Sequence, residues 1–239
     1  MRGGRLIRTL ALRAGVSIEP QRNTPAARLA QLLEHCGADL VLDIGANEGE
    51  YGAQLRRSGF DGRIASFEPL PEAYRALERR SRSDPRWAAH NFALGDRATE
   101  ETLHVAGNYA AASSSILPML ARHSEAAPDA DYRASVPVSV RRLDEIWKDI
   151  ATDESVVFVK VDVQGYEGQV LDGIGNFLGA VSGFQLEISL TPLYDGSPSM
   201  GDILSRMETA GFALAQIFPG FVDERTGELL QFDGVFFRR

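Results

Sequence analysis

The stretch VLDIGANEGEY, from Val41 to Tyr51, decides the fold. Val41, Leu42 and Ile44 form a short apolar run of the kind buried as a strand, interrupted only by Asp43. Gly45 and Gly49 bracket a tight turn, where a missing Cβ lets the backbone bend sharply and approach a ligand closely. From Glu48 to Arg57 the pattern is helical. Strand, glycine turn and helix in this order open a doubly wound sheet, which binds ligands at the carboxyl ends of its strands.

The alternation continues outward from there. Thr24 is placed to cap a helix over residues 25–36, with Leu29, Leu32 and Leu33 on one face. Arg63 to Phe67 reads as a second strand, and Pro71 to Arg80 as a helix with proline in its first turn. Ala88 to Leu94 reads as a third strand, while residues 99–105 and 135–141 alternate with the period of antiparallel strands. Val156 to Val161 is a buried strand and Gly165 to Leu178 is helical in character. Residues 183–188 and 213–218 are strands with a helix near 200–210 between them. Leu229 to Phe237 follows a Thr-Gly-Glu turn so closely that it reads as an antiparallel strand. The expected class is α/β, an open and mostly parallel sheet with an antiparallel end and helices on both faces.

Composition narrows the function. A chain of 239 residues with 44% apolar and 24% charged content is ordinary for one large globular domain. The net charge of -8 argues against nucleic acid, which requires a concentrated positive field. A single cysteine, Cys36, supplies neither a disulfide nor a zinc cluster, so a cytoplasmic location is the default. Residues 1–24 carry Arg2, Arg5, Arg8 and Arg13 among apolar residues and read as a basic helical extension. That extension suits packing on the domain, a homodimer contact or peripheral membrane contact. Residues 25–239 form the domain proper, with a lid or substrate loop at about 106–134, where Ala, Ser, Asp and Pro prevail without periodicity.

The turn is not a dinucleotide fingerprint. A pyrophosphate would sit on the helix N-terminus, where Glu48 and Glu50 place negative charge instead. S-adenosylmethionine has no phosphate, and its sulfonium and ammonium suit the neighbourhood of Asp43. Gly45, Ala46, Asn47, Gly49 and Tyr51 complete this first candidate cofactor set. In SFEP, Ser66 to Pro69, Glu68 closes the second strand about 20 residues after the turn, where an acid can accept from two ribose hydroxyls. Glu68 and Pro69 therefore join the set, as do Asn91 and Ala93 of NFALGD, at adenine level.

Two later segments, VKVDVQGYEG from Val159 to Gly168 and LEISLTPLYDG from Leu186 to Gly196, complete an ordered series. With them the chain resembles the FkbM family of methyltransferases over roughly residues 25 to 237. The resemblance implies a seven-stranded Rossmann-like methyltransferase sheet, S-adenosylmethionine as donor, and oxygen as the usual acceptor atom. It also implies acceptors such as polyketides or the sugar hydroxyls of glycolipids and other glycoconjugates. Gln164 stands where many relatives carry Glu, which weakens a metal site built on that position.

Methyl transfer to a hydroxyl requires alignment, exclusion of water and a proton acceptor. Asp162 and Lys160 share one face of the fourth parallel strand by period two. Asp162 is the first candidate, for the cofactor's amino-acid end or the acceptor hydroxyl; Glu187 is the rival base. Lys160 is a salt-bridge partner unless its pKa is strongly lowered. Ser114, Ser115, Gln164 and Tyr194 are candidates for substrate contact. His35, His90, His104 and His123 show no ligand spacing, and no metal is expected. Two alternatives stand beside this reading: a nicotinamide-dependent oxidoreductase, and a non-catalytic nucleoside-binding module.

Overall fold

The computed structural model describes residues 24–239; the N-terminal extension otherwise lies outside them. Its centre is a seven-stranded sheet. β1 (Leu40–Ile44) pairs in parallel with β2 (Arg63–Phe67), which pairs with β3 (Trp87–His90). On its other side β1 pairs with β7 (Val157–Val161), and β7 with β8 (Val181–Ser189). β12 (Gln231–Arg238) lies antiparallel between β8 and β9 (Phe212–Pro219), giving the order β3-β2-β1-β7-β8-β12-β9. The last strand must run antiparallel because a parallel return needs a long crossover. Here the connection holds only a small hairpin, β10 (Val222–Asp223) with β11 (Glu228–Leu229).

Period-two alternation divides the sheet into two cores. Val41, Ile64, Phe158 and Val235 face α1 (Pro25–Cys36), α2 (Glu50–Arg57) and α3 (Pro71–Ser81) through Leu29, Leu33, Leu55 and Leu77. Leu42, Ile44, Val159, Val161 and Leu186 face the opposite way. They meet Leu143, Trp147, Val170, Leu171, Ile203 and Met207 of α5 (Leu143–Ile150), α6 (Glu167–Ile174) and α7 (Met200–Thr209). Each such side chain contributes roughly 1.5–3 kcal/mol by leaving water. Thr24 Oγ1 accepts from Ala27 N at 3.3 Å, and Gly37 closes α1 with φ 71°, so both ends follow from local sequence.

The chain departs from the linear reading after β3. The expected strand over 88–94 breaks at Asn91, and Ala93–Leu94 becomes β4 of a separate sheet with β5 (Thr99–Ala106) and β6 (Tyr132–Arg141), in the order β4-β6-β5. This sheet rests on the start of α3 through Leu103 and Val138 against Leu70 and Ala73. Residues 106–134 are less irregular than their composition suggests. They contain a 3-10 turn at Tyr109–Ala111, the short α4 (Ala121–Ala126) and another 3-10 turn at Pro128–Ala130. The helix α5, which follows β6 without a side-chain cap, is absent from the sequence reading.

Candidate active site

At the carboxyl edge of β1, β2 and β7 lies a pocket of about 790 Å³, open mouth included. Its apolar wall comes from Phe67, Leu70, Leu94, Leu103, Ile116 and Tyr166, together with Ala111 and Ala112 of the overhanging segment. Its polar side comes from Gly45, Asn47, Glu68, Asp162, Gln164 and Ser114. Two lining residues are acidic and none is Lys or Arg. A pyrophosphate would find no counter-charge in this lining, whereas a sulfonium or ammonium would.

Strand register sets the carboxylates in a row. The pairs Ile44↔Phe67, Ile44↔Val161 and Val161↔Leu186 place Glu68, Gly45, Asp162 and Glu187 one residue further along adjacent strands. Asp233 lies directly opposite Glu187 on β12. Two residues back along the strands, on the same face, sit Ser66, Asp43, Lys160 and Gln185. Four carboxyls thus span the ligand edge, with one buried ammonium beneath them.

Glu68 is 7% exposed; its Oε2 accepts from Asn47 N and its Oε1 from Leu70 N, both at 2.8 Å. Burial pushes this carboxyl up to about 7 against the pull of those two N–H groups. Asn91 Nδ2 donates to the carbonyls of Glu68 and Pro69, at 2.9 and 3.1 Å, so it shapes the turn that presents Glu68. Ala93 and Pro69 line the pocket.

Asp43 lies beneath the pocket rather than in its lining. It is fully buried, Ser66 Oγ donates to its Oδ2 at 3.1 Å, and Trp87 Nε1 donates to Ser66 Oγ at 3.0 Å. Lys160 Nζ stands 3.3 Å from Asp43 Oδ1, 3.4 Å from Asp162 Oδ2, and donates to Gly45 O at 2.8 Å. Burial opposes the Lys160 charge, but Asp162 and Asp43 more than offset it and hold the ammonium protonated. A base must be able to give up that proton, so the geometry fits the salt-bridge reading of Lys160 and not the catalytic one.

The remaining candidates separate in the same way. Ala46 is buried, Gly49 starts α2 with φ 81° against Leu77 and Trp87, and the Tyr51 hydroxyl donates to Gln185 Oε1 at 3.1 Å. These three lie outside the pocket lining. Gln164 lines it and also knits it together, with Nε2 donating to Asp162 Oδ1 at 2.8 Å and to Glu187 Oε2 at 2.7 Å. The Tyr194 hydroxyl donates to Gln164 Oε1 at 2.7 Å, and Ser115 Oγ donates to the Gln164 carbonyl at 2.6 Å. Tyr194 and Ser115 are about 1% exposed, so they support the site from behind. Glu167 accepts from the N–H groups of Val163 and Gly165 and caps the turn before α6. Among the described residues, no three His, Cys, Asp or Glu side chains are grouped to hold a metal ion.

Residues 43–214, most of the chain, match the Methyltransferase FkbM domain. The chain belongs to the FkbM methyltransferase family. This methyltransferase accordingly uses S-adenosylmethionine, and the acidic, cation-free pocket lining suits that group. No curated protein matches the sequence. Among solved structures, a presumed O-methyltransferase from Klebsiella pneumoniae shares the fold at TM-score 0.51 and 10% identity, over 98% of this chain and 89% of that one. Magnesium protoporphyrin IX methyltransferase from Synechocystis PCC 6803, with bound S-adenosylmethionine, aligns at TM-score 0.48 and 11% identity, over 90% of this chain and 78% of that one.

Leu70, Leu103, Ile116, Gln231 and Asp233 are site residues that sequence reasoning missed. Their signal is three-dimensional: the first three meet where Leu103 of the side sheet packs on Leu70 before α3 and on Ile116 of the overhanging segment, and the last two arrive through the antiparallel register of β12.

Proposed function

We propose that this methyltransferase transfers a methyl group to a hydroxyl oxygen of a small molecule, sugar or glycolipid. The setting we propose is cytoplasmic natural-product or cell-envelope glycoconjugate biosynthesis. No helix among the described residues is long and apolar enough to cross a membrane. The observation that carries the reading is the row of carboxyls beside an apolar pocket without a cation.

Glu68 would hold the ribose hydroxyls, the wall of Leu70, Leu103 and Ile116 the adenine, and Asp162 the positive end of the cofactor. When bound, the cofactor supplies an electrophilic methyl group on a sulfonium. Glu187 is placed to take the acceptor's proton, since it is half-buried, beside Asp162, and bonded through only one of its oxygens. The acidic lining disfavours the oxidoreductase alternative. Calorimetry with S-adenosylhomocysteine and with NAD tests the donor; NAD binding alone would overturn it. Labelled methyl transfer into small-molecule and glycolipid extracts tests the acceptor, and label recovered on nitrogen would overturn the hydroxyl reading.

A further inference from the structure

Glu187 Oε2 accepts hydrogen bonds from two carboxamides, Gln164 Nε2 at 2.7 Å and Gln231 Nε2 at 2.8 Å. Glu187 Oε1 accepts none from the described residues. The two amides arrive from different elements, Gln164 from the turn after β7 and Gln231 from the first position of β12. Neither is free to rotate. Gln164 is held at Oε1 by the Tyr194 hydroxyl and at its carbonyl by Ser115, and its backbone is left-handed at φ 57°. Gln231 is 3% exposed, and its Nε2 also approaches Ser189 Oγ at 3.3 Å. The Tyr194 bond fixes which end of the Gln164 amide faces the carboxylates, because a hydroxyl hydrogen on Oε1 leaves Nε2 for Asp162 and Glu187.

We propose that Gln164 and Gln231 are positioning residues that pin Oε2 of Glu187 and leave Oε1 as the carboxyl oxygen open to the acceptor's proton. This rests on the reading of Glu187 as the base. In the step itself the acceptor's O–H proton passes to Oε1 while its oxygen bonds the methyl carbon and the C–S bond breaks. The products are a methyl ether, S-adenosylhomocysteine and a neutral Glu187 carboxyl, which then releases its proton to water.

The amides matter because the surroundings work against an ionised Glu187. Burial is the largest cause holding its carboxyl well above the ordinary range, followed by Asp162 at the end of β7, Glu167 on α6 and Asp233 on β12. Lys160 on β7 acts in the opposite direction, and the neutral Tyr194 hydroxyl faces the group from the loop after β8. Two N–H donors on one oxygen favour the charged form and so offset part of that penalty, keeping the proton-accepting carboxylate populated where it is used.

Carbon-13 detection of glutamate Cδ reads this titration without an acceptor, with Glu187→Gln identifying the resonance. Gln164→Met and Gln231→Met retain bulk and remove the donor. Each is expected to tighten proton binding to Glu187 about tenfold, in line with one hydrogen bond to a charged group. Asp233→Asn is expected to loosen it, since a facing charge is removed instead. A Glu187 titration unmoved in the folded Met variants would overturn the proposal. If those variants fail to fold, Tyr194→Phe frees the Gln164 amide and is expected to shift the titration upward by a smaller factor; no shift would likewise overturn it. S-adenosylhomocysteine calorimetry on the wild-type protein keeps the two readings apart. Absent binding there would sink the methyltransferase site and leave the clamp result legible.

Discussion

Lys160 Nζ donates to the carbonyl oxygen of Gly45 at 2.8 Å, so a buried cation on β7 anchors the glycine turn of β1. The same ammonium faces Asp43, which is fully buried. Removing one member of such a pair leaves an uncompensated charge, at a cost of about 3–5 kcal/mol. We expect Lys160→Met to destabilise the fold by that amount in urea titration. Adding Asp43→Asn should recover part of the loss, because the orphaned charge is then gone. A double variant no more stable than the single one would contradict this account.

Gly45 has φ 76°, and a Cβ there would lie 1.8 Å from the carbonyl oxygen of Asp162. Gly45→Ala therefore combines left-handed strain with a backbone clash, roughly 2–4 kcal/mol together. It should also abolish S-adenosylhomocysteine binding, because the turn and Asp162 must separate. Gly37 supplies the control: its φ is 71° and nothing lies within 4 Å of its Cβ position. Gly37→Ala should cost only about 1 kcal/mol and leave calorimetric binding intact.

Burial is the main cause that pushes Glu68 and Glu167 up to about 7 from 4.5, and Asp233 up to about 6 from 3.8. The native state therefore binds more protons than the unfolded state across that interval, and these groups lose stability as pH rises. The loss begins above the unfolded values near 4 and levels off once the folded values near 7 are passed. Scanning calorimetry of the ligand-free protein should show a lower Tm at about pH 8 than at about pH 5. Bound S-adenosylmethionine, a cation, should reduce the difference more than neutral S-adenosylhomocysteine does.

The lid expected at residues 106–134 meets the glycine turn through Asn47 Nδ2, which donates to Ala110 O at 2.9 Å. Ala110 and Ala111 both have φ 52° and Asn47 has φ 48°, left-handed values that cost of order 1–3 kcal/mol each in non-glycine residues. With Gln164 they are the described non-glycine residues of positive φ, and all four lie in or beside the pocket wall. Hydrogen exchange across residues 107–116 should slow when S-adenosylhomocysteine binds. Asn47→Ala should speed it in the free protein. Equal exchange with and without ligand would remove the lid assignment.

Much of this architecture was legible before folding. The order strand, glycine turn, helix from Val41 onward, the cap at Thr24, and the antiparallel return after the Thr-Gly-Glu turn all follow from local periodicity and turn chemistry. Gly45, Asn47, Glu68, Pro69, Ala93 and Asp162 were placed at the ligand edge by position along their strands, and each lines the pocket. Asp43 and Lys160 were equally visible but lie one layer deeper. Period two tells which face a residue takes, and not how far along the strand the pocket floor reaches. The break at Asn91 was hidden because Ala93 and Leu94 are apolar and strand-like in either sheet.

The sequence by itself determined a parallel α/β sheet with an acidic, phosphate-free ligand edge, because hydrophobic period, glycine position and charge are properties of short segments. Only the tertiary structure decided which carboxyls meet. Asp162, Glu187 and Asp233 come from distant segments, and strand register sets them side by side. It also decided that the glycine turn rests on Lys160 and that Gln164 and Gln231 share one oxygen of Glu187. Hydrogen bonds across strands depend on register and on an angle of approach, and neither is written in the spacing of a single segment.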